Sequence, residues 1–151
     1  MSTPRQQGFT LVELLVVLGI AGLLIALAPV AYERMREGAQ YRDVLRRITA
    51  DLRQARQQAV TTGQEARFVL DLKGRAFGLQ GRAPTALPES VDVDATVAGI
   101  ELAGQDLAAI RFLPEGGATG GSLAVTRKSG GGSRITVDWL SGRLTQQALE
   151  P

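Results

Sequence analysis

Glu13 is the only charged residue in an apolar run of 24 residues, FTLVELLVVLGIAGLLIALAPVAY, at positions 9–32. A carboxylate in hydrocarbon costs on the order of +2.5–3.5 kcal/mol at the centre of a spanning helix, and less near its end. Glu13 therefore needs either the headgroup region or a cationic partner. Little else in the chain suits covalent chemistry. There is no His and no Cys. This removes the commonest general base, thiolate metal sites, disulfides and the usual serine and cysteine triads. Asp92-Val93-Asp94 lacks the Asp-Gly and the bidentate Glu of a calcium loop and reads as a polar strand or loop end. The glycines at 116–121 and 130–132 are not followed by Lys-Ser/Thr opening a helix, so they are not phosphate loops. Arg127 and Lys128 beside the second of them read as a solvated hairpin tip. No catalytic residue, metal or cofactor is expected.

The elements that position Glu13 follow from periodicity. A helix over 9–32 is ~36 Å long at 1.5 Å per residue, enough to cross a hydrocarbon core of ~30 Å. From Glu33 the helical period continues with a different character. Met35, Tyr41, Leu45, Ile48, Leu52, Ala55 and Ala59 draw one apolar stripe, with arginines on most other faces. The stripe is expected to pack on the distal domain as core, and the arginine-rich faces to be solvated. Asp43 and Arg47 suit an i,i+4 pair. Gly63 is the expected stop, and Pro29 and Gly38 are where a bend is expected. The reading is one helix over about 9–62, apolar all round in its first half and amphipathic in its second.

Beyond Gly63 the pattern turns to short strands. Segments 66–72 and 76–80 flank Lys73-Gly74, a hairpin signal. Runs at 91–93, 97–102 and 109–113 follow, then the turn Pro114-Glu115-Gly116-Gly117. Segments 122–127 and 134–140 alternate, and Ser141-Gly142 turns the chain back into 143–147. Segment 81–89, with Pro84 and Pro88, reads as a loop, and Trp139 as half-buried in the sheet. This is a small antiparallel β domain, and the chain is α+β. The formal charge of +2 and pI near 9.5 are too mild to argue for nucleic acid. Residues 33–56 hold seven arginines against four acids, whereas 64–151 hold nine basic and ten acidic residues. The basic excess lies beside the apolar block.

Several roles compete for the N-terminus. A secretory signal peptide would be cut after Ala26-Leu27-Ala28, but Pro29 is a poor residue after a scissile bond and Glu13 interrupts the apolar core. A plain signal anchor explains the length and gives Glu13 no role. A buried helix of a soluble domain lacks other helices to cover it.

Gly8-Phe9-Thr10-Leu11-Val12-Glu13-Leu14 resembles the cleavage and methylation motif of type IV pilins and type II secretion pseudopilins. The resemblance implies that a prepilin peptidase cuts between Gly8 and Phe9 and methylates the new amine of Phe9. Gly8, without a side chain, lets the scissile backbone enter a tight site. It further implies that Glu13 pairs with the N-terminus of a neighbouring subunit's Phe9 during assembly. Desolvation makes such a pair register-defining. Ile110-Arg111-Phe112-Leu113-Pro114-Glu115-Gly116-Gly117, Ser122-Leu123-Ala124-Val125 and Ile135-Thr136-Val137-Asp138-Trp139-Leu140-Ser141-Gly142-Arg143-Leu144 resemble the GspH/FimT family of minor pseudopilins. That likeness implies a long helix topped by a β-sandwich at the tip of a secretion pseudopilus, without enzymatic activity. The implied layout is a leader at 1–8, a transmembrane and assembly helix at 9–32, its amphipathic continuation at 33–63 and a periplasmic β domain at 64–151. The implied location is the bacterial inner membrane, crossed once. Expected partners are prepilin peptidase, other minor and major pseudopilins, and inner-membrane lipid, whose anionic headgroups Arg34 and Arg36 could touch. Nucleic acid is not expected. The rival is a pilus or competence minor pilin that binds DNA; it calls for a basic, flexible distal patch, and the tail 145–151 has no Lys or Arg.

Overall fold

The computed structural model describes residues 10–97 and 106–150, and of 27–31 the backbone only. One helix, α1 (Leu11–Thr62), runs through Pro29 and Gly38 without interruption. It ends where expected: Gly63 takes φ 67°, and its N–H donates to the Ala59 carbonyl at 3.0 Å, a left-handed C-cap that glycine accepts without Cβ strain. The chain falls into two units, Met1–Arg36 and Glu37–Pro151.

In the second unit eight strands form two antiparallel sheets. The first has the order β3-β2-β1-β5, from β1 (Ala66–Asp71), β2 (Ala76–Leu79), β3 (Thr85–Ala86) and β5 (Leu107–Phe112). The second has the order β4-β6-β7-β8, from β4 (Val91–Val97), β6 (Gly121–Arg127), β7 (Gly132–Val137) and β8 (Leu144–Leu149). The β1–β2 hairpin turns where Lys73-Gly74 predicts, with Gly74 N–H donating to Asp71 Oδ1 at 2.6 Å. The loop expected at 81–89 carries the two-residue edge strand β3. The run expected at 97–102 continues β4 only as far as Val97, and its remaining residues lie outside the described ones. Arg75, at φ 47°, ties the sheets together: its guanidinium donates to the Val91 carbonyl at 2.7 Å and the Pro88 carbonyl at 3.1 Å, and meets Asp92 at 3.2 Å.

The core lies where a helix stripe meets both sheets. Val44, Ile48, Leu52, Ala55 and Ala59 are buried at steps of three and four, the period of one helix face. They cluster with Phe68, Phe77, Ile110 and Phe112 of the first sheet and Leu123, Val125, Ile135 and Val137 of the second. Full burial of Ile48 or Leu52 stabilises by about 1.5–3 kcal/mol each. The stripe differs from the expected one at two places. Val44, not Leu45, is the fully buried residue, with Leu45 half-buried at its margin, and Met35 is 74% exposed. Polar contacts flank the stripe: Tyr41 hydroxyl to Ser133 Oγ at 2.9 Å, Ser90 hydroxyl to Gln40 Oε1 at 2.6 Å, and Ser129 N–H to Glu37 Oε1 at 2.9 Å. The Asp43–Arg47 pair forms at 2.9 Å but is exposed on both sides, so it contributes only a few tenths of a kcal/mol (about 0.3–0.5).

Candidate functional site

The N-terminal segment of α1 opens on a cap. The Thr10 hydroxyl oxygen accepts the Glu13 N–H at 3.2 Å, and the Thr10 carbonyl accepts the Leu14 N–H at 3.2 Å. Thr10 and Glu13 thus occupy the N-cap and third helical positions, the Thr-x-x-Glu spacing of a capping box. Glu13 is also the acidic residue of the first turn, where the helix dipole favours negative charge. Sequence reasoning assigned Glu13 an intermolecular role and missed this local one, although the spacing carries the signal. Glu13 is exposed and, among the described residues, meets no cation. Gly8 and Phe9 lie outside the described residues.

From Leu11 to Ile25, eleven large apolar side chains are each more than half exposed. They point to every side of the helix, so lipid or other helices must cover them. No helix among the described residues is long and apolar enough to cross a membrane. The span expected over 9–32 includes Phe9 and the side chains of 27–31, which lie outside them.

In the distal unit no cluster of His, Cys, Asp or Glu among the described residues could hold a metal. Asp92, of the Asp-Val-Asp stretch, pairs with Arg75 instead. Arg127 lies over the Tyr41 ring, its guanidinium carbon 5.2 Å from the centroid.

The two distal sequence patterns meet in space as one structural corner. Phe112 is fully buried. After it the chain turns through Pro114 to Gly116, at φ 93°, and Leu113 N–H donates to the Gly117 carbonyl at 2.9 Å. Opposite, Ile135 and Val137 are buried and Asp138 begins the β7–β8 turn. Its carboxylate accepts the Ser141 hydroxyl at 2.6 Å and the Ser141 N–H at 2.8 Å. These bonds hold the Asp138 pKa below its ordinary value of 3.8. Gly142 closes the turn at φ 59°, where a Cβ would come 2.5 Å from the Gly116 carbonyl oxygen and 3.0 Å from Arg56 Nε. Ala118 N–H donates to the Trp139 carbonyl at 2.9 Å. The Phe-x-Pro-x-Gly and Ile-x-Val-Asp-x-x-x-Gly-Arg patterns are therefore the two halves of one packed corner. This corner turns Trp139 outward: it is 67% exposed, and Leu140 is 70% exposed, against the expectation that Trp139 is half-buried.

The family model of type II transport protein GspH matches residues 44–142. The chain belongs to the GspH family. The match takes in the buried helix stripe, strands β1 to β7 and the corner just described. A second model, the prokaryotic N-terminal methylation motif, matches residues 3–29. The GspH-family chain is 33% identical over 143 residues to type II secretion system protein H of Xanthomonas campestris pv. campestris, covering 95% of this chain and 84% of that relative. A structure of the minor pseudopilin EpsH from the type 2 secretion system of Vibrio cholerae superposes with a TM-score of 0.57 at 20% identity, over 72% of this chain and 97% of that one. A crystal structure of the same pseudopilin gives 0.53 at 17% identity, over 75% and 97%. At such identities the likeness carries the fold: a long N-terminal helix with antiparallel sheets, α+β as expected.

Proposed function

We propose that this GspH-family chain is a minor pseudopilin of the type II secretion system, a structural subunit of the pseudopilus tip and not an enzyme. A prepilin peptidase removes residues 1–8 by cutting between Gly8 and Phe9 and N-methylates Phe9. Residues 9–32 hold the subunit in the inner membrane and pack against other pseudopilins, 33–63 continue the helix, and 64–151 stand in the periplasm. The observation that carries this reading is Glu13: a lone carboxylate one turn into a helix whose apolar side chains are exposed on all sides, within the stretch matched by the methylation motif. In hydrocarbon such a group is stabilised by pairing with a cation, and the amine of a neighbour's Phe9 is the cation that the cut creates. Leaving either charge unpaired is costly, so the pair fixes the register between subunits.

Glu13→Ala is expected to leave processing intact and to abolish recovery of the chain in a sheared pseudopilus fraction. Glu13→Ala retains the Thr10 cap, because the bond to Thr10 uses the backbone N–H of residue 13. Normal co-assembly of the variant would refute the pairing. Mass spectrometry of the mature chain tests the cut: methylated Phe9 supports it, and an intact Met1 or a start at Pro29 overturns it.

A further inference from the structure

A groove runs between the exposed flank of α1 and strand β8. It consists of a cleft of about 570 Å³ lined by Arg42, Leu45, Arg46, Arg53 and Gln146 among others, and a second of about 330 Å³ where Arg53 and Arg56 face Gly142 and Arg143. Arg53 lines both, so the two clefts adjoin in the groove. Among the described residues its walls carry five arginines and no Asp or Glu, with Asp138 of the adjoining turn in the field of Arg143 alone of the five. None of the five forms an ion pair among the described residues. The acids on the same stretch of helix face elsewhere: Asp43 holds Arg47, and Asp51 lies in the field of Arg82 and Arg47. Arg56 Nε is buried without a hydrogen-bond partner.

The other wall is an open strand edge. Among the described residues β8 ends its sheet and pairs only with β7. Asp138 N–H donates to the Arg143 carbonyl at 2.9 Å, which makes 138/143 a hydrogen-bonded pair. By the alternation of an antiparallel ladder, the residues at 145, 147 and 149 bond β7, while Leu144, Gln146 and Ala148 turn N–H and C=O away from it. Unpaired edge groups are a template for another strand.

From this juxtaposition of a free β8 edge and a carboxylate-free arginine wall, we propose that the groove binds an extended acidic segment of a partner protein, which adds as a strand to β8. The dimensions agree. Arg42 to Arg56 spans ~21 Å along the helix, the length of about six strand residues. Arg42 and Arg46 are ~6 Å apart along the axis, close to the ~6.8 Å between alternate strand residues. Acids at every second position would thus face the arginines, while the backbone pairs with Leu144, Gln146 and Ala148. The proposal is independent of the pseudopilin reading, since it concerns the distal unit and uses nothing of the N-terminal motif.

The test uses the full chain in non-ionic detergent and a fluorescent peptide of alternating Val and Glu. Binding is read by polarisation, and amide protection on β8 by hydrogen exchange. The expected result is salt-sensitive binding that protects the Gln146 and Ala148 amides. Two variants separate the walls. Arg46→Glu with Arg53→Glu reverses the charge. Gln146→Pro removes an outward N–H without touching the β7 ladder, a position where an edge strand tolerates proline. Each is expected to weaken binding by about tenfold or more while circular dichroism stays unchanged. No binding, equal binding of a control peptide of alternating Val and Lys, or an affinity indifferent to Gln146→Pro overturns the proposal. So does a single-stranded oligonucleotide that binds the groove more tightly than the peptide.

Discussion

Gly142→Ala places a methyl group where the corner has no room. At φ 59° a non-glycine residue costs about 1–2 kcal/mol. The new Cβ would also stand 2.5 Å from the Gly116 carbonyl oxygen and 3.0 Å from Arg56 Nε. The first neighbour is backbone and cannot rotate away, so overpacking adds about 1–3 kcal/mol. The total is about 2–5 kcal/mol, combining both costs. Gly63→Ala is the control. Its φ of 67° carries the same conformational cost, but nothing lies within 4 Å of the added carbon, so it should lose only about 1–2 kcal/mol. In thermal unfolding of the full chain in detergent, followed by the β signal in far-UV circular dichroism, 1 kcal/mol corresponds to about 4 °C for a domain of this size. Gly142→Ala should lower the midpoint by about 8–20 °C and Gly63→Ala by about 4–8 °C. Equal shifts for the two variants would refute the argument that the corner is set by close approach and not by backbone conformation alone.

Leu52→Ala, at a site with no solvent exposure, should cost about 2–5 kcal/mol in urea unfolding, while Met35→Ala, at a site 74% exposed, should leave the midpoint where it is. Trp139→Ala should change stability by no more than about 0.5 kcal/mol, because the side chain is exposed and the turn is held by Asp138, Ser141 and Gly142. Stability should also fall on acidification. Hydrogen bonds from Ser129 depress the Glu37 pKa below 4.5, and those from Ser141 depress the Asp138 pKa below 3.8. Such groups bind fewer protons folded than unfolded, so their contribution is whole above these ordinary values and is lost as pH drops through the depressed ones. Asp51 works in the opposite direction, since burial raises its pKa. Asp138→Asn should flatten the decline in urea midpoint below about pH 4; an unchanged slope would refute the assignment.

The long helix, the Gly63 stop and most hairpins were legible because each rests on a local signal: a 3.6-residue period, a glycine at a C-cap, a turn dipeptide between alternating runs. The exact buried face of α1 was less so. The expected and the buried faces share Ile48, Leu52, Ala55 and Ala59; Val44 and Leu45 are neighbours at the margin, and only contact with the two sheets decides between them. Met35 continued the period on paper but precedes the packed unit. Trp139 looked inward because alternation from Ile135 and Val137 points it there. The Asp138–Ser141 bonds end the strand at Val137 and break that alternation. Arginines 42, 46, 53 and 56 read as a solvated face, since a sequence does not tell which strand edge will come to lie beside them. At the N-terminus the likeness to pilin-type motifs was legible from Gly8, Phe9 and Glu13 together, whereas the Thr10 cap was in plain view and passed over.

The outward turn of Trp139 has a spectroscopic consequence. It is the only Trp in the chain, and at 67% exposure its indole already emits from a largely hydrated setting in the native protein. Melting the core should therefore move the emission maximum little, and intrinsic fluorescence is a poor gauge of folding for this molecule. A neighbour that seats itself over the β7–β8 turn would dehydrate the ring and shift the emission to the blue. The native chain thus carries an unlabelled optical reporter of contact at the corner, silent to unfolding and responsive to docking.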